Sequence, residues 1–277
     1  MNCRVAALLC VVSVTATGCF IPDGAAPSVG IGSVVASKFV HRGMVNVDRP
    51  VFQPSLSMSL PTKIEGDSVS ITTRGNMDLQ NDNGKAWFPN GHAGRFSEID
   101  FIGTYSHQLT ESINIRGGLF SYNLPNGQEF PKNRDGSGPG EERGGTTEVF
   151  VVASANVLET TPYLSWHYDF DEVRSAYYRL GITESFVIND QWNIVVDGSI
   201  GYAASGQSDW LYDLDESGFA DLRGFAKVNY AYDDRTTISA GVHGSTLVDR
   251  AINRWSTNIG GIDTDPIWLS LGVNWSF

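Results

Sequence analysis

The residues of this chain whose types and spacing could do chemistry are charged ones: Arg74, Glu98, Asp100, Arg116, Glu148, Asp169, Arg179, Asp197, Asp221, Arg223 and Lys227. Each lies in a run that alternates apolar and polar residues and falls on the polar phase, so all of them project from the same face of their strands. Signs tend to alternate from run to run, with Arg74 on one, Glu98 and Asp100 on the next, then Arg116, then Glu148. Two chemistries use such a wall. Opposite charges on neighbouring strands neutralise one another and stabilise the ladder, or some of them meet a charged solute in a selective channel. Arg179, Asp197 and Arg223 come at similar heights on successive strands and are expected to form a neutralised ladder.

Catalytic and metal chemistry have little to stand on. The five histidines are scattered, and His41 and His107 have no Ser and acid partners at a spacing that suggests a triad. No Cys/His metal spacing, phosphate loop or GxSxG elbow occurs. No cofactor, metal or catalytic residue is therefore expected, and the chain reads as a non-enzyme. A formal charge of −12 argues against nucleic acid as a partner.

The elements that must carry this wall are strands. Ile267, Leu269, Leu271, Val273, Trp275 and Phe277 alternate with small or polar residues up to the last residue, the pattern of a closing outer-membrane barrel strand. Trp275 and Phe277 are its candidate signal for the barrel assembly machinery. Eleven more runs of period two lie near 31–42, 50–60, 67–78, 96–107, 111–122, 146–157, 161–169, 173–187, 191–203, 218–231 and 235–246. Tyr105, Trp192, Tyr230, Trp275 and Phe277 fall at one set of strand ends and suit an interfacial aromatic girdle. Charged residues at 18% and 30 glycines in 277 fit a membrane barrel better than a soluble globule. The alternative is a soluble β-sandwich.

Connections alternate between tight polar turns, as at Leu109–Ser112 and Asp233–Thr236, and long stretches rich in Gly, Asn and Asp, as at Asp78–Arg95 and Asn123–Gly145. That asymmetry is expected of short periplasmic turns and long extracellular loops. Asn123–Gly145 is either a surface loop or a segment folded inward as a constriction. Basic Met1–Arg4, apolar Val5–Val14 and small residues up to Cys19 read as a secretory signal over 1–19, followed by a linker over 20–29 and the barrel over 30–277. Cys3 and Cys10 lie inside the signal. Cys19 is either a lipidation site or an incidental residue near the cleavage point.

Ser37-Lys38-Phe39-Val40-His41-Arg42-Gly43 resembles the aromatic-x-x-Arg-Gly segment that opens an uncharacterised bacterial envelope family known as Gcw_chp, and the runs at Pro50–Leu60 and Glu98–Asp100 are similarly placed to that family's next segments. The resemblance implies an outer-membrane barrel with no catalytic residues to carry over. The sequence thus points to an all-β, transmembrane, up-and-down antiparallel barrel of about 12 strands in a bacterial outer membrane, in contact with its lipids. The function it suggests is a narrow channel for passive or mildly selective diffusion of small hydrophilic solutes. A non-conducting structural or ligand-binding barrel is the alternative, and an outer-membrane lipid hydrolase a third.

Overall fold

The computed structural model describes residues 26–88, 91–125, 128–129, 142–257 and 261–277. The expected signal segment, Cys19 and most of Asn123–Gly145 lie outside them. Twelve antiparallel strands close into one barrel: β1 (Ser28–Ala36), β4 (Val51–Pro61), β5 (Ser68–Asp78), β6 (Phe96–Gln108), β7 (Ile113–Asn123), β10 (Thr146–Ala155), β11 (Thr160–Asp169), β12 (Ala176–Val187), β13 (Trp192–Ala203), β14 (Gly218–Ala231), β15 (Thr236–Leu247) and β16 (Ile267–Ser276). Each pairs with the next, and β16 pairs with β1 to shut the ring. The closure runs to the last residue, where Phe277 and Val29 exchange backbone hydrogen bonds of 2.8 and 3.0 Å. Closure leaves no strand edge unpaired, the condition for spanning lipid with strands.

Two small hairpins stand apart from the wall, β2 (Phe39–His41) with β3 (Met44–Val47), and β8 (Gln128–Glu129) with β9 (Glu142–Arg143). Helices α1 (Ser205–Tyr212) and α2 (Arg250–Trp255) lie in long connections at the same end of the barrel as β2 and β3. At the other end, five short turns join the strands, and there β1 begins and β16 ends.

Alternation fixes which side chains face out. Leu164, Leu180, Leu222, Leu269 and Leu271 are half or more exposed on the outer surface, and Ile31, Val151, Ile182 and Val242 lie among them. A continuous apolar exterior of this extent belongs against lipid rather than water. Aromatic pairs flank it. Trp192 and Tyr230 (centroids 4.6 Å apart) lie toward the short turns, while Tyr178, Tyr202 and Phe219 form a chain of edge contacts toward the long loops. The ten residue steps from Trp192 to Tyr202, at roughly 3.3 Å each and a tilt of about 40°, span about 25 Å, the height of an outer-membrane apolar band.

Three expectations need correction. The first strand does not run over 31–42: β1 ends at Ala36 and the chain turns inward as β2 and β3. Lys38 accordingly leaves the wall and pairs with Asp48, and with Asp263 at 3.5 Å. The barrel's first strand begins at Ser28, two residues before the expected start at residue 30. Finally, the outward phase of β14 breaks near its start. A register shift between Ile200 and Tyr202 on β13 sets Tyr202 against Phe219, which faces out, and buries Ala220 completely.

Candidate functional site: a capped and charged lumen

The cap over the long-loop mouth begins with the turn between β2 and β3. His41 pairs with Met44, and the two residues between, Arg42 and Gly43, both have positive φ, 48° and 81°. Two consecutive positive φ values make the two-residue turn whose twist suits a hairpin, and Gly43 takes its position without a side-chain penalty. A Cβ at Gly43 would also lie 2.6 Å from Cβ of Asp221 and 2.7 Å from Cδ2 of Leu247 on the wall. The hairpin tip therefore touches β14 and β15 directly.

Behind the tip is an apolar core. Met44, Val45 and Val47 are fully buried among Trp87, Phe88, Leu211, Tyr212, Ile252 and Trp255 from the other long connections, and wall residues Tyr177, Leu247 and Trp268 complete the cluster. The backbone of 87–88 adds to β3, with N–H of Trp87 donating to Val45 (2.7 Å) and N–H of Phe88 to Asn46 (3.0 Å). The Tyr212 hydroxyl donates to the carbonyl of Arg42 at 2.7 Å. Burial of this apolar surface holds the hairpin inside the mouth rather than in solvent.

Below the cap runs a belt of ion pairs. Arg42, 7% exposed, meets Glu148, 2% exposed, at 2.7 Å, and its guanidinium lies 4.3 Å from the ring centroid of Tyr177. Glu148 also accepts the Tyr122 hydroxyl (3.1 Å) and contacts Nδ1 of His167 (3.2 Å). Arg74 donates to Asp100 at 2.6 Å and covers the ring of Phe120, while buried Glu98 shares the face of Asp100. Asp169 accepts the hydroxyl of Thr146 and the backbone N–H groups of Asp171 and Val173 (3.0 Å each), tying down the shortest long-end connection.

Arg179 pairs with Asp221 at 2.7 Å and donates to Ser199 at 2.9 Å. The expected ladder of Arg179, Asp197 and Arg223 does not form. Arg179 sits opposite Gly201, whereas Asp197 sits opposite Thr183, four residues farther along β12, and accepts that hydroxyl at 2.8 Å. Because Gly201 presents no side chain, Tyr177 and Arg179 reach across it to Asp221 on the strand beyond. A Cβ there would collide with the Tyr177 hydroxyl and the Asp221 carboxylate. The register and one glycine, not the order of charges along the chain, choose the partner.

The lumen widens toward the short turns. A polar chamber of about 840 Å³ runs from Asn114, Ser154 and Thr161 near the rim up to Arg74, Phe120 and His167, with Arg116 and Asp197 on its wall. Lys227 and Arg223 face inward on β14 in the same phase as Phe225, which sits opposite Asp197. Above the chamber, a gap of about 40 Å³ separates the hairpin from the wall, bordered by Arg42, Glu98, Tyr122, Glu148, Trp210 and Gln207. That is room for about three waters.

Arg42, Tyr122 and Tyr177 were missed as site residues. The Arg-Gly pair between Val40 and Val45 is a hairpin signal in its own right, overlooked because the flanking residues continue the alternation of β1. One Ser–His contact was also missed, Ser270 Oγ to His243 Nε2 at 2.8 Å. Nδ1 of His243 is buried without a hydrogen-bond partner among the described residues, so no acid orients the ring as nucleophilic catalysis requires.

No family model matches the sequence, and no curated protein is similar to it in sequence. In structure, the chain is similar to the COG4313 outer membrane channel from Pseudomonas putida F1, with a TM-score of 0.53 at 8% identity over 93% of this chain and 97% of that one. It also matches the KdgM porin in complex with disordered oligogalacturonate, with a TM-score of 0.47 at 10% identity over 90% and 99% of the two chains. The CymD monoaromatic hydrocarbon channel matches with a TM-score of 0.44 at 11% identity over 91% and 88%. The shared feature is the fold, a closed barrel of the outer-membrane kind.

Proposed function

We propose that this protein is an outer-membrane channel through which small hydrophilic solutes diffuse, with a passage narrowed at its outer mouth by the β2–β3 hairpin. The short turns then face the periplasm and the cap faces outward. The observation that carries this reading is the chamber of about 840 Å³, whose lining combines hydroxyls, the Asn114 amide and charges with Ile102, Phe120, Phe150 and Val152, inside a wall whose outer face is apolar. A polar lumen of that size holds water, and water is the medium of porin-type diffusion. The constriction lies at the Arg42–Glu148 pair, where the gap shrinks to a few waters. The terminal strand, with Trp275 and Phe277 exposed at its end, is proposed to be read by the barrel assembly machinery.

Liposome swelling tests the proposal. Vesicles carrying the protein are expected to swell with the smallest polyols and to lose that response as solute size grows. Swelling at the rate of protein-free vesicles for every solute would overturn it.

The apolar core of the cap supports a second reading, a barrel plugged at rest whose cap binds something outside. The two readings part on one variant, replacement of residues 38–49 by a short Gly/Ser connection. An open but narrow channel speeds up on excision, whereas a plugged barrel conducts only after it.

A further inference from the structure

The lumen charges do not balance evenly along its axis. In the belt beneath the cap, Arg42, Arg74 and Arg179 each have a carboxylate partner, in Glu148, Asp100 and Asp221, and Glu98 adds another acid. Below that belt the inward cations are Arg116 on β7, Lys227 on β14 and, at mid-height opposite Ser199 and two residues from Asp221, Arg223 on β14. None of these three forms an ion pair among the described residues, and Nε of Arg223 is buried without a hydrogen-bond partner. The inward carboxylate on this stretch of wall is Asp197, and its close partner is the Thr183 hydroxyl rather than a cation. Arg116 and Lys227 thus face one carboxylate, Asp197, with Arg223 a third unpaired cation at the upper edge of the same wall, and physiological salt screens such charges only beyond roughly 8 Å.

Such an excess acts on permeant ions. Low-dielectric walls focus the field of fixed charges and concentrate counter-ions, and unpaired Arg and Lys side chains lining a pore favour anions. Arg116 presents a planar fork of donors into the chamber, close to hydroxyls such as those of Thr104 and Ser154. That combination suits an oxygen anion, whose remaining lone pairs the hydroxyls can satisfy.

We infer that the periplasmic half of the lumen is an anion-selecting vestibule that takes small oxyanion solutes, carboxylates or phosphates. The inference rests on the channel reading and deepens it, assigning a solute class to the chamber. The outer belt, rich in paired carboxylates, sets the width of the passage, and the unpaired cations below set its charge preference.

Reversal potentials in planar bilayers under a KCl gradient test it. The parent is expected to reverse on the chloride side, and Arg116→Glu with Lys227→Glu to move the reversal potential to the potassium side. Arg116→Gln with Lys227→Gln, which adds no new charge, is expected to move it only toward zero. Heat-modifiable gel mobility confirms that each variant is folded. Succinate or inorganic phosphate added on the periplasmic side is expected to reduce the parent's chloride current and to leave that of the Glu variant unchanged. The stronger of the two blockers identifies the class of oxyanion. Reversal of the parent at zero or on the potassium side would overturn the vestibule while leaving the channel intact. Absence of any current from the parent and from the protein lacking residues 38–49 would overturn the channel, and the vestibule with it.

Discussion

At the residue scale the decisive contact is Arg42 with Glu148, two charges buried together where the cap meets the wall. Removing one partner of such a pair leaves the other with only the few waters of the adjoining gap. Arg42→Ala is expected to cost about 3 kcal/mol of unfolding free energy, while Arg42→Met combined with Glu148→Met costs clearly less. Urea unfolding in lipid vesicles measures both. A double variant no more stable than the single would show that the pair contributes real net attraction. A second residue-scale effect lies outside the membrane, at the turn before β5. The Tyr105 hydroxyl and Nδ1 of His107 (2.8 Å) hold the Asp67 carboxyl below the usual carboxylate range, the hydroxyl contributing most. A carboxyl with a lowered folded pKa stabilises fully above the unfolded value of about 4 and stops doing so as pH falls through the folded one. The Tm advantage of the parent over Asp67→Asn is therefore expected to be constant near neutral pH and to vanish under strongly acid conditions. A difference that persists there would place the stabilisation in packing instead.

At the element scale the hairpin of β2 and β3 explains both what the sequence conceals and what it reveals. Eleven of the twelve wall strands were legible because each is long, alternates over most of its length and ends at turn residues, so their boundaries in the structure differ by only a few residues from those read off the chain; the first, expected to run to residue 42, ends at Ala36. The hairpin was not, since Ser37–Val47 keeps the alternation of a wall strand and only the Arg42–Gly43 pair marks the reversal. The same turn offers a test. Gly43→Val demands a positive φ of a β-branched residue and drives its side chain into Asp221 and Leu247. The variant is expected to assemble as a closed barrel with an unseated hairpin, seen as protease cleavage within residues 38–49 that the parent resists. Equal resistance in both would mean the tip tolerates the displacement.

At the scale of the whole molecule, the exterior and the lumen answer to different rules. The outer face needs only to be apolar over about 25 Å, which a two-residue period specifies completely, and so the fold class was readable from sequence. Pairing inside the lumen depends on strand shear, on the shift near Gly201 and on a cap assembled from four separate connections. Those are long-range facts. Charge order along the chain could name Arg179 and Asp221 as lumen residues but could not join them across Gly201. The central claim, that solutes cross through this lumen and that the hairpin sets the passage, is tested most directly by single-channel conductance in planar bilayers, with the parent compared to the protein lacking residues 38–49. Small discrete steps from the parent and clearly larger ones after excision are the expected result. Silence from both, in preparations whose gel mobility shows folded barrels, would contradict the account.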